Sequence, residues 1–301
     1  MLNMKKFNLF FAFACVFALS TALFAQEAAQ TAPATQEAAP AAPAADPVIA
    51  EEDGSFPLWA SITVGTDSKY VCDGIVANPD QVANLDVTIG AFGFYVDFWS
   101  QFDLTDFNDR KNRYEEADYT IGYTHTFETD FSPITVEVAW QYYQYPGEFQ
   151  REWGVQDDKL VKFGITFDKL WGDDVQGIGA GTVFKYNYAD NVSYGDVFAS
   201  YSYQLSEKLT AGVKATFHWY DRDKMTAAVG YDHEFTRASV HGFELRPNVS
   251  YKLNDCISFS GYVACNWFIN KATNDSVGSG SLSANNDKPN TWAGVSATFS
   301  F

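Results

Sequence analysis

From Leu58 to the end of the chain, apolar residues recur at every second position in short segments, the spacing of a β-strand with one covered face. The alternation is found thirteen times. The segments are residues 58–64, 85–89, 94–98, 119–123, 134–140, 161–167, 178–186, 197–203, 209–219, 225–231, 243–251, 257–267 and 293–301. The pattern predicts an all-β, antiparallel protein.

The two faces of these segments differ in charge. The apolar sets contain no charged residue, whereas the opposite positions hold many Gly, Ser and Thr and a series of ionisable residues. These candidate pore-lining residues are Asp86, Asp97, Asp118, Glu137, Lys162, Lys185, Asp196, Lys214, His218, Glu244, Arg246 and Lys252. A soluble β-sandwich with one wet face would show the same alternation, so the alternation alone leaves two architectures open.

Segment length, aromatic residues and the C-terminus favour a transmembrane β-barrel of the outer-membrane type. The segments run to about ten to twelve residues, and 17% of the chain is aromatic. Tryptophans at or near segment ends fit the aromatic girdles of such barrels; they are Trp59, Trp99, Trp140, Trp219, Trp267 and Trp292. The last segment alternates to the final residue and ends in Phe, so Phe299 and Phe301 are predicted to form the membrane-insertion signal read by the barrel-assembly machinery.

The first 55 residues differ from the rest. Lys5 and Lys6 precede an apolar run from Phe7 to Leu23, which predicts a secretory signal peptide over residues 1–25. A spanning helix is the alternative, although the run is near the lower length limit for a bilayer. Residues 26–55 are rich in Ala, Pro, Gln and Glu and predict a disordered periplasmic tether. The barrel is then residues 56–301.

The number of strands follows from parity. Bacterial single-chain barrels have an even number of strands with both ends in the periplasm, so thirteen segments cannot all span. The weakest segment, residues 225–235, lies between two tight turns that both look periplasmic. We therefore expect about 12 strands, with that segment in an extracellular loop. Fourteen strands would mean that one was missed.

Three stretches resemble the TorF-type porin family. They are Ser68-Lys69-Tyr70-Val71-Cys72-Asp73-Gly74-Ile75, Gly93-Phe94-Tyr95-Val96-Asp97-Phe98-Trp99-Ser100 and Tyr142-Tyr143-Gln144-Tyr145-Pro146-Gly147. The resemblance is clear over residues 58–147 and implies a bacterial outer-membrane barrel with a porin-like role. At position 73 the family carries a basic residue, and the Asp found here reverses that charge.

The chain offers no recognisable catalytic, metal or cofactor site. His125, His218, His233 and His241 form no metal-ligand spacing. Cys72, Cys256 and Cys265 remain after the signal, and the last two would lie roughly 30 Å apart on one strand, too far to form a disulfide. A net charge of −18 argues against nucleic acid as a partner. We expect a protein that is not an enzyme and needs no cofactor.

These observations predict a porin-like channel for passive diffusion of small hydrophilic solutes in the outer-membrane lipid. The candidate pore-lining residues hold six acids and five bases, so a weak cation preference is expected from the acidic loops and little from the wall. The alternative is a plugged structural or surface-interaction barrel without transport. The solute and the oligomeric state are left open by the sequence.

Overall fold

The computed structural model describes residues 35–36, 57–105, 114–146, 157–173, 175–221, 239–269 and 289–301. All regular elements of this part of the chain are strands. They are β1 Thr35–Gln36, β2 Leu58–Asp67, β3 Lys69–Cys72, β4 Ile75–Asn78, β5 Val82–Ala91, β6 Phe94–Asp103, β7 Tyr114–Phe127, β8 Ile134–Gln144, β9 Asp158–Gly172, β10 Gln176–Asn187, β11 Val192–Ser206, β12 Leu209–Tyr220, β13 Ser239–Lys252, β14 Ile257–Phe268 and β15 Asn290–Ser300.

Twelve of the described strands form one closed antiparallel barrel in the order β2, β5, β6 and so on to β15, which pairs with β2 again. Closure is in register from Gly294 opposite Asp67 to Ser300 opposite Ser61, and the terminal Phe301 exchanges two backbone hydrogen bonds with Ala60. The prediction of twelve strands is confirmed. Residues 225–235 lie outside the described residues, so their assignment to a loop stays a prediction.

The outer surface of the barrel consists of the apolar sets that the sequence pattern identified. Val138, Val197 and Val295 are between 49% and 60% exposed, and the other large apolar residues of these sets face outward in the same way. A closed barrel pairs every strand with two neighbours and leaves no sheet edge, which is what a β-structure in hydrocarbon requires. The soluble-sandwich alternative is therefore excluded by the closed topology.

The two ends of the barrel differ in their connections. β2 begins and β15 ends at the same end of the barrel. We call it the turn end, because short turns join three pairs of strands there: β5 and β6, β11 and β12, and β13 and β14. Phe92 and Gly93 both have positive φ angles, of 54° and 83°, as in the tight turn type favoured between twisted antiparallel strands. The opposite end is called the loop end. Four of its connections contain residues that lie outside the described part of the chain: 106–113, 147–156, 222–238 and 270–288.

The predicted aromatic girdle is only partly correct. Trp140 and Trp267 are exposed on the outer surface, as a girdle requires, but Trp99 and Trp292 are buried on the inner face. Both of these positions belong to the inward parity of their strands, and Trp292 is only 1% exposed. Their partners lie inside the barrel and are described below.

Three further sequence predictions concern single features. Cys72, Cys256 and Cys265 form no disulfide within the described residues. No helix in the part of the chain that the structure describes is long and apolar enough to cross a bilayer. The signal peptide and nearly all of the tether lie outside the described residues, apart from β1, which pairs in parallel with β3.

Candidate functional site: a hairpin across the lumen

The connection between β2 and β5 does not extend away from the barrel but folds into it. It forms an antiparallel hairpin of β3 and β4, which pair through Cys72 opposite Ile75 and Tyr70 opposite Asn78. Tyr70, Val71, Val76 and Asn78 are all buried although they belong to a connection between barrel strands. The hairpin therefore lies in the lumen near the loop end.

The hairpin can turn tightly because of the dipeptide at its tip. Asp73 and Gly74 have φ angles of 48° and 80°, and an Asp-Gly pair is strongly favoured at such a two-residue turn. A Cβ atom at position 74 would lie 2.8 Å from Cδ2 of His218 on the opposite wall. Position 74 thus requires glycine both for its backbone angle and for this close approach.

Hydrogen bonds fasten the tip to three wall strands. Lys185 on β10 donates to Asp73 Oδ1 at 2.9 Å, and the Tyr220 hydroxyl on β12 donates to the backbone carbonyl of Asp73 at 3.0 Å. Asn266 on β14 donates its side-chain amide to the carbonyl of Gly74 at 2.8 Å. The tip therefore reaches the wall opposite its own stem.

A second set of bonds holds the two sides of the hairpin to β7. The hydroxyl of Tyr70 donates to Glu116 Oε2, and the side-chain amide of Asn78 donates to Glu115 Oε2, both at 2.7 Å. Glu115 and Glu116 are adjacent in sequence yet both buried, because a β-bulge places Gln101 opposite Glu116 and the next residue of β6 opposite Tyr114. The bulge turns one extra carboxylate into the barrel.

Apolar contacts surround the hairpin on several sides. Val71 and Val76 pack with Ala264 and Trp292 on β14 and β15. On the other face, Tyr70 packs with Val82 and Trp99, and the two rings lie 5.6 Å apart. At the tip, Ile75 packs against a cluster of Tyr143, Leu160, Tyr194 and Tyr220. Trp99 and Trp292 are thus buried on the inner face because the hairpin supplies the surface they pack against.

The ion pair between Lys185 and Asp73 is largely shielded from solvent, with side chains 15% and 7% exposed. We expect Asp73→Asn and Lys185→Met each to lower the free energy of unfolding, and the double variant to lose less than the sum, with a coupling of about 1–3 kcal/mol. Equilibrium unfolding of the detergent-folded barrel measures all four corners of this cycle. A coupling near zero would show that the two groups do not stabilise each other.

Five of the sequence-predicted candidates lie close beneath the hairpin, in the part of the wall nearer the loop end. They are Asp118, Lys185, Asp196, His218 and Glu244. His218 is central: its Nδ1 lies 2.7 Å from Asp196 Oδ1, and its Nε2 lies 3.7 Å from Glu244 Oε2. Glu244 in turn accepts a hydrogen bond from Arg246 Nε at 2.8 Å. Asp196, His218, Glu244 and Arg246 form one continuous chain of ionisable side chains along β11, β12 and β13.

Six other candidates lie nearer the middle of the barrel: Asp86, Asp97, Glu137, Lys162, Lys214 and Arg246. Lys162 forms an ion pair with Glu137 at 2.8 Å, and the hydroxyl of Tyr95 donates to the same carboxylate. The remaining candidate, Lys252, is at the turn end, where it pairs with Asp255 at 2.8 Å and is 58% exposed. The structure therefore brings Lys252 together with a turn residue and not with the other candidates.

Five buried carboxylates of the lumen are not among the predicted pore-lining residues: Asp67, Asp73, Asp103, Glu115 and Glu116. Asp67 accepts a hydrogen bond from Asn84 at the end of β2. Among the described residues, the inner wall and hairpin are therefore more acidic than the near balance of six acids and five bases predicted from parity alone.

Outside the spanning strands, four described groups have clearly displaced pKa values: those of Tyr70 and Tyr145 are raised, and those of Asp173 and Asp255 are lowered. Burial above all raises the pKa of Tyr70 well beyond its usual range, so its hydroxyl stays a donor to Glu116. The hydrogen bond and charge of Lys252 lower the pKa of Asp255. Among the described residues, no group of three or more His, Cys, Asp or Glu side chains could hold a metal ion.

A closed barrel of twelve antiparallel strands with an apolar exterior and a charged interior has the architecture of a transmembrane β-barrel of the bacterial outer membrane. No protein-family model matches the sequence, and no curated protein matches it. The TorF-type resemblance is therefore not confirmed.

Solved structures with a similar chain course are outer-membrane proteins. The KdgM porin in complex with disordered oligogalacturonate is 7% identical, with 81% of this chain and 99% of that chain covered and a TM-score of 0.44. The NanC porin is 10% identical, with coverage of 80% and 98% and a TM-score of 0.45. The COG4313 outer membrane channel from Pseudomonas putida F1 is 8% identical, with coverage of 81% and 95% and a TM-score of 0.47. At these levels of similarity the matches carry no information about solute or mechanism.

Proposed function

We propose that the protein is an outer-membrane channel for passive diffusion of small hydrophilic solutes. The observation that carries this proposal is the contrast between the two faces of the closed barrel, apolar outside and charged or hydroxyl-bearing inside. Twelve strands enclose more space than the eight-stranded barrels whose side chains fill the interior. The hairpin of β3 and β4 is the constriction that limits the size of the solute.

Channel activity is tested by reconstituting the mature, folded protein into planar lipid bilayers in potassium chloride. We expect discrete conductance steps from single insertions. Folded protein that inserts without any steps, in several independent preparations, would contradict the proposal.

A cation preference forms the finer part of the proposal. The carboxylates of Glu115, Glu116 and Asp73 lie on or against the hairpin, and the charge that faces a narrow passage determines which ions enter it. Glu116→Gln keeps an acceptor for Tyr70 and removes one charge, so the ratio of potassium to chloride permeability should fall toward one. The ratio is obtained from the reversal potential in a salt gradient.

The matched control for this change is Asp255→Asn, which removes one acid at the turn end, away from the hairpin. It should leave the permeability ratio close to that of the unchanged protein. Equal effects of the two substitutions would mean that total charge, and not the constriction, governs ion preference.

A plugged barrel without transport is the second candidate. The three apolar clusters around the hairpin favour it, because they fasten the hairpin to the wall on several sides. Liposome swelling separates the two candidates: a channel admits a small sugar and lets the liposomes swell, whereas a plugged barrel gives no swelling.

The first stretch that resembles the TorF-type porins coincides with part of the hairpin. Its residues, from Ser68 to Ile75, include the first strand and the tip of the hairpin. We propose that the chain is a divergent relative of that family, with Asp73 paired to Lys185 where the family carries a basic residue. Outer-membrane lipid and, through Phe299 and Phe301, the barrel-assembly machinery are its proposed partners.

A further inference from the structure

Two aromatic side chains of the inner wall lie near the turn end, each beside a glycine. Trp59 on β2 and Tyr95 on β6 both belong to the inward parity of their strands. Trp59 is the register partner of Gly90 on β5, and Tyr95 is the register partner of Gly122 on β7. Because Gly90 is also opposite Tyr95, ring and glycine alternate in one row across four neighbouring strands.

The two glycines let the rings lie flat against the backbone. A Cβ atom at position 90 would lie 2.4, 2.5 and 2.7 Å from Cζ2, Cε2 and Nε1 of Trp59. At position 122 it would lie 2.4, 2.4 and 2.5 Å from Cε1, Cζ and the hydroxyl oxygen of Tyr95. Three adjacent atoms are almost equally distant from one point in each case, so the ring passes over that point. One face of each ring is therefore turned to the wall and the other to the lumen.

The lumenal faces of these two rings carry no other group in the part of the chain that the structure describes. Both side chains are half-buried, and no cation or second ring lies over either of them. Phe198 on β11 provides a contrast. Its Cζ would lie 2.6 Å from a Cβ atom at Gly181, but Lys214 Nζ lies 4.3 Å from the centroid of its ring and covers it.

Hydrogen-bonding side chains form the next inward row toward the loop end. Its members are consecutive register partners on β2, β5, β6, β7 and β8: Ser61, Thr88, Asp97, Thr120 and Gln141. The hydroxyl of Thr88 donates to Asp97 Oδ1 at 2.8 Å, and the side-chain amide of Gln141 donates to Thr120 Oγ1 at 3.2 Å. Hydroxyl, carboxylate and amide groups thus follow one side of the two rings.

We propose that this part of the wall binds neutral sugars in their ring form, which makes sugars the solute class of the proposed channel function on which this inference rests. The face of an aromatic ring is negative, and the carbon–hydrogen bonds on the face of a pyranose are slightly positive, so the two faces attract each other. The hydroxyl groups at the edge of the same sugar need donors and acceptors, which the row from Ser61 to Gln141 supplies.

The spacing of the two rings indicates the length of the sugar. Trp59 and Tyr95 are on strands separated only by β5, so they are about 10 Å apart. Both rings lie flat on the same wall, and a flat oligosaccharide can therefore contact both of them. A monosaccharide contacts one ring at a time, and an open-chain polyol has no flat face to place on either.

Isothermal titration calorimetry of the folded protein, in a detergent without a sugar headgroup, tests the proposal. The probe is cellotriose, a flat trisaccharide, and sorbitol is the comparison solute because it carries hydroxyl groups but no ring. We expect saturable binding of cellotriose and none of sorbitol. Trp59→Leu and Tyr95→Leu each remove one ring face and should lower the affinity for cellotriose by about threefold to tenfold. Tyr95→Phe keeps the face, so it should bind like the unchanged protein.

The matched control is Phe198→Leu, which removes an inward ring that Lys214 already covers. Its affinity for cellotriose should equal that of the unchanged protein. Equal losses in Phe198→Leu and Trp59→Leu, or binding of cellotriose no tighter than that of sorbitol, would overturn the inference.

Planar-bilayer recordings distinguish the sugar site from the channel. Cellotriose should interrupt the ion current of the unchanged protein in proportion to its occupancy, and Trp59→Leu should need a higher concentration for the same effect. Ion current in a protein that binds no cellotriose would contradict the inference alone. Binding of cellotriose to a protein that carries no ion current would contradict the channel and with it the passage of sugars.

Discussion

Replacing residues 68–81 with an Asn-Gly turn is expected to raise the single-channel conductance several-fold. Asp67 and Val82 are register partners at the ends of β2 and β5, so a two-residue turn can join them without changing the barrel ladder. The replacement removes the hairpin from the lumen together with its bonds to β7, β10, β12 and β14. Single-channel recordings in planar bilayers measure the change directly.

The same pair of recordings separates the channel from the plugged barrel. If the unchanged protein conducts and its conductance rises when the hairpin is removed, the hairpin is the constriction of the channel. A silent protein that conducts only after the replacement is a plugged barrel. Equal conductance before and after would show that the narrowest point lies elsewhere, and silence in both would contradict channel function altogether.

The weaker tip variants provide a graded comparison. Asp73→Asn and Lys185→Met leave the three apolar clusters in place and remove only the ion pair at the tip. We expect them to add fluctuations to the open current while the mean conductance stays close to that of the unchanged protein. The mean conductance should therefore change strongly only when the hairpin is removed.

The barrel could be predicted from the sequence because lipid imposes a simple rule on it. Every second residue of a spanning strand must be apolar, and a closed sheet must have an even number of strands when both ends lie on one side. Together these rules predict twelve strands, as the barrel has, and they assign positions such as Asp97 and Lys214 to the inward parity.

The lumenal hairpin could not be predicted in the same way, although part of its signal was present. Asp73-Gly74 between Tyr70-Val71 and Ile75-Val76 is a strong hairpin signal, since few dipeptides accept two positive φ angles. Nothing in that signal says whether such a hairpin points away from the barrel or into it. The inward direction depends on contacts with residues such as Lys185, Asn266 and Trp292. These residues are far from the hairpin in sequence, so no local pattern predicts the contacts.

Glu115 illustrates a second limit of parity. By alternation with Tyr119 and Ile121, an odd-numbered residue of β7 should face the lipid, where a carboxylate is costly. The β-bulge shifts the register by one residue and turns Glu115 inward, where Asn78 and Gln101 donate hydrogen bonds to it. When alternation would place a charged residue against lipid, that residue thus indicates that a β-bulge has shifted the pairing of its strand by one position.

The substitution Val295→Arg is expected to lower the free energy of unfolding by about 2–4 kcal/mol, because it places a charge against hydrocarbon. Val295 is the central residue of β15, lies opposite Gly261 on β14 and is 60% exposed on the outer face. Equilibrium unfolding in denaturant, followed by tryptophan fluorescence on protein folded into lipid vesicles, measures the loss.

Ser260→Arg is the matched control, since Ser260 is next to Gly261 on β14 but faces the lumen, where its hydroxyl bonds to Ser296 at 2.7 Å. An arginine there can extend into water, so it should cost less than about 1 kcal/mol, the range for sites away from the bilayer midplane. The two variants add the same side chain to neighbouring strands, about one residue apart in register. A large difference between their losses of unfolding free energy therefore identifies lipid as the medium on the outer face. Equal losses would mean that the apolar face is covered by something other than hydrocarbon, and the channel proposal would fail with it.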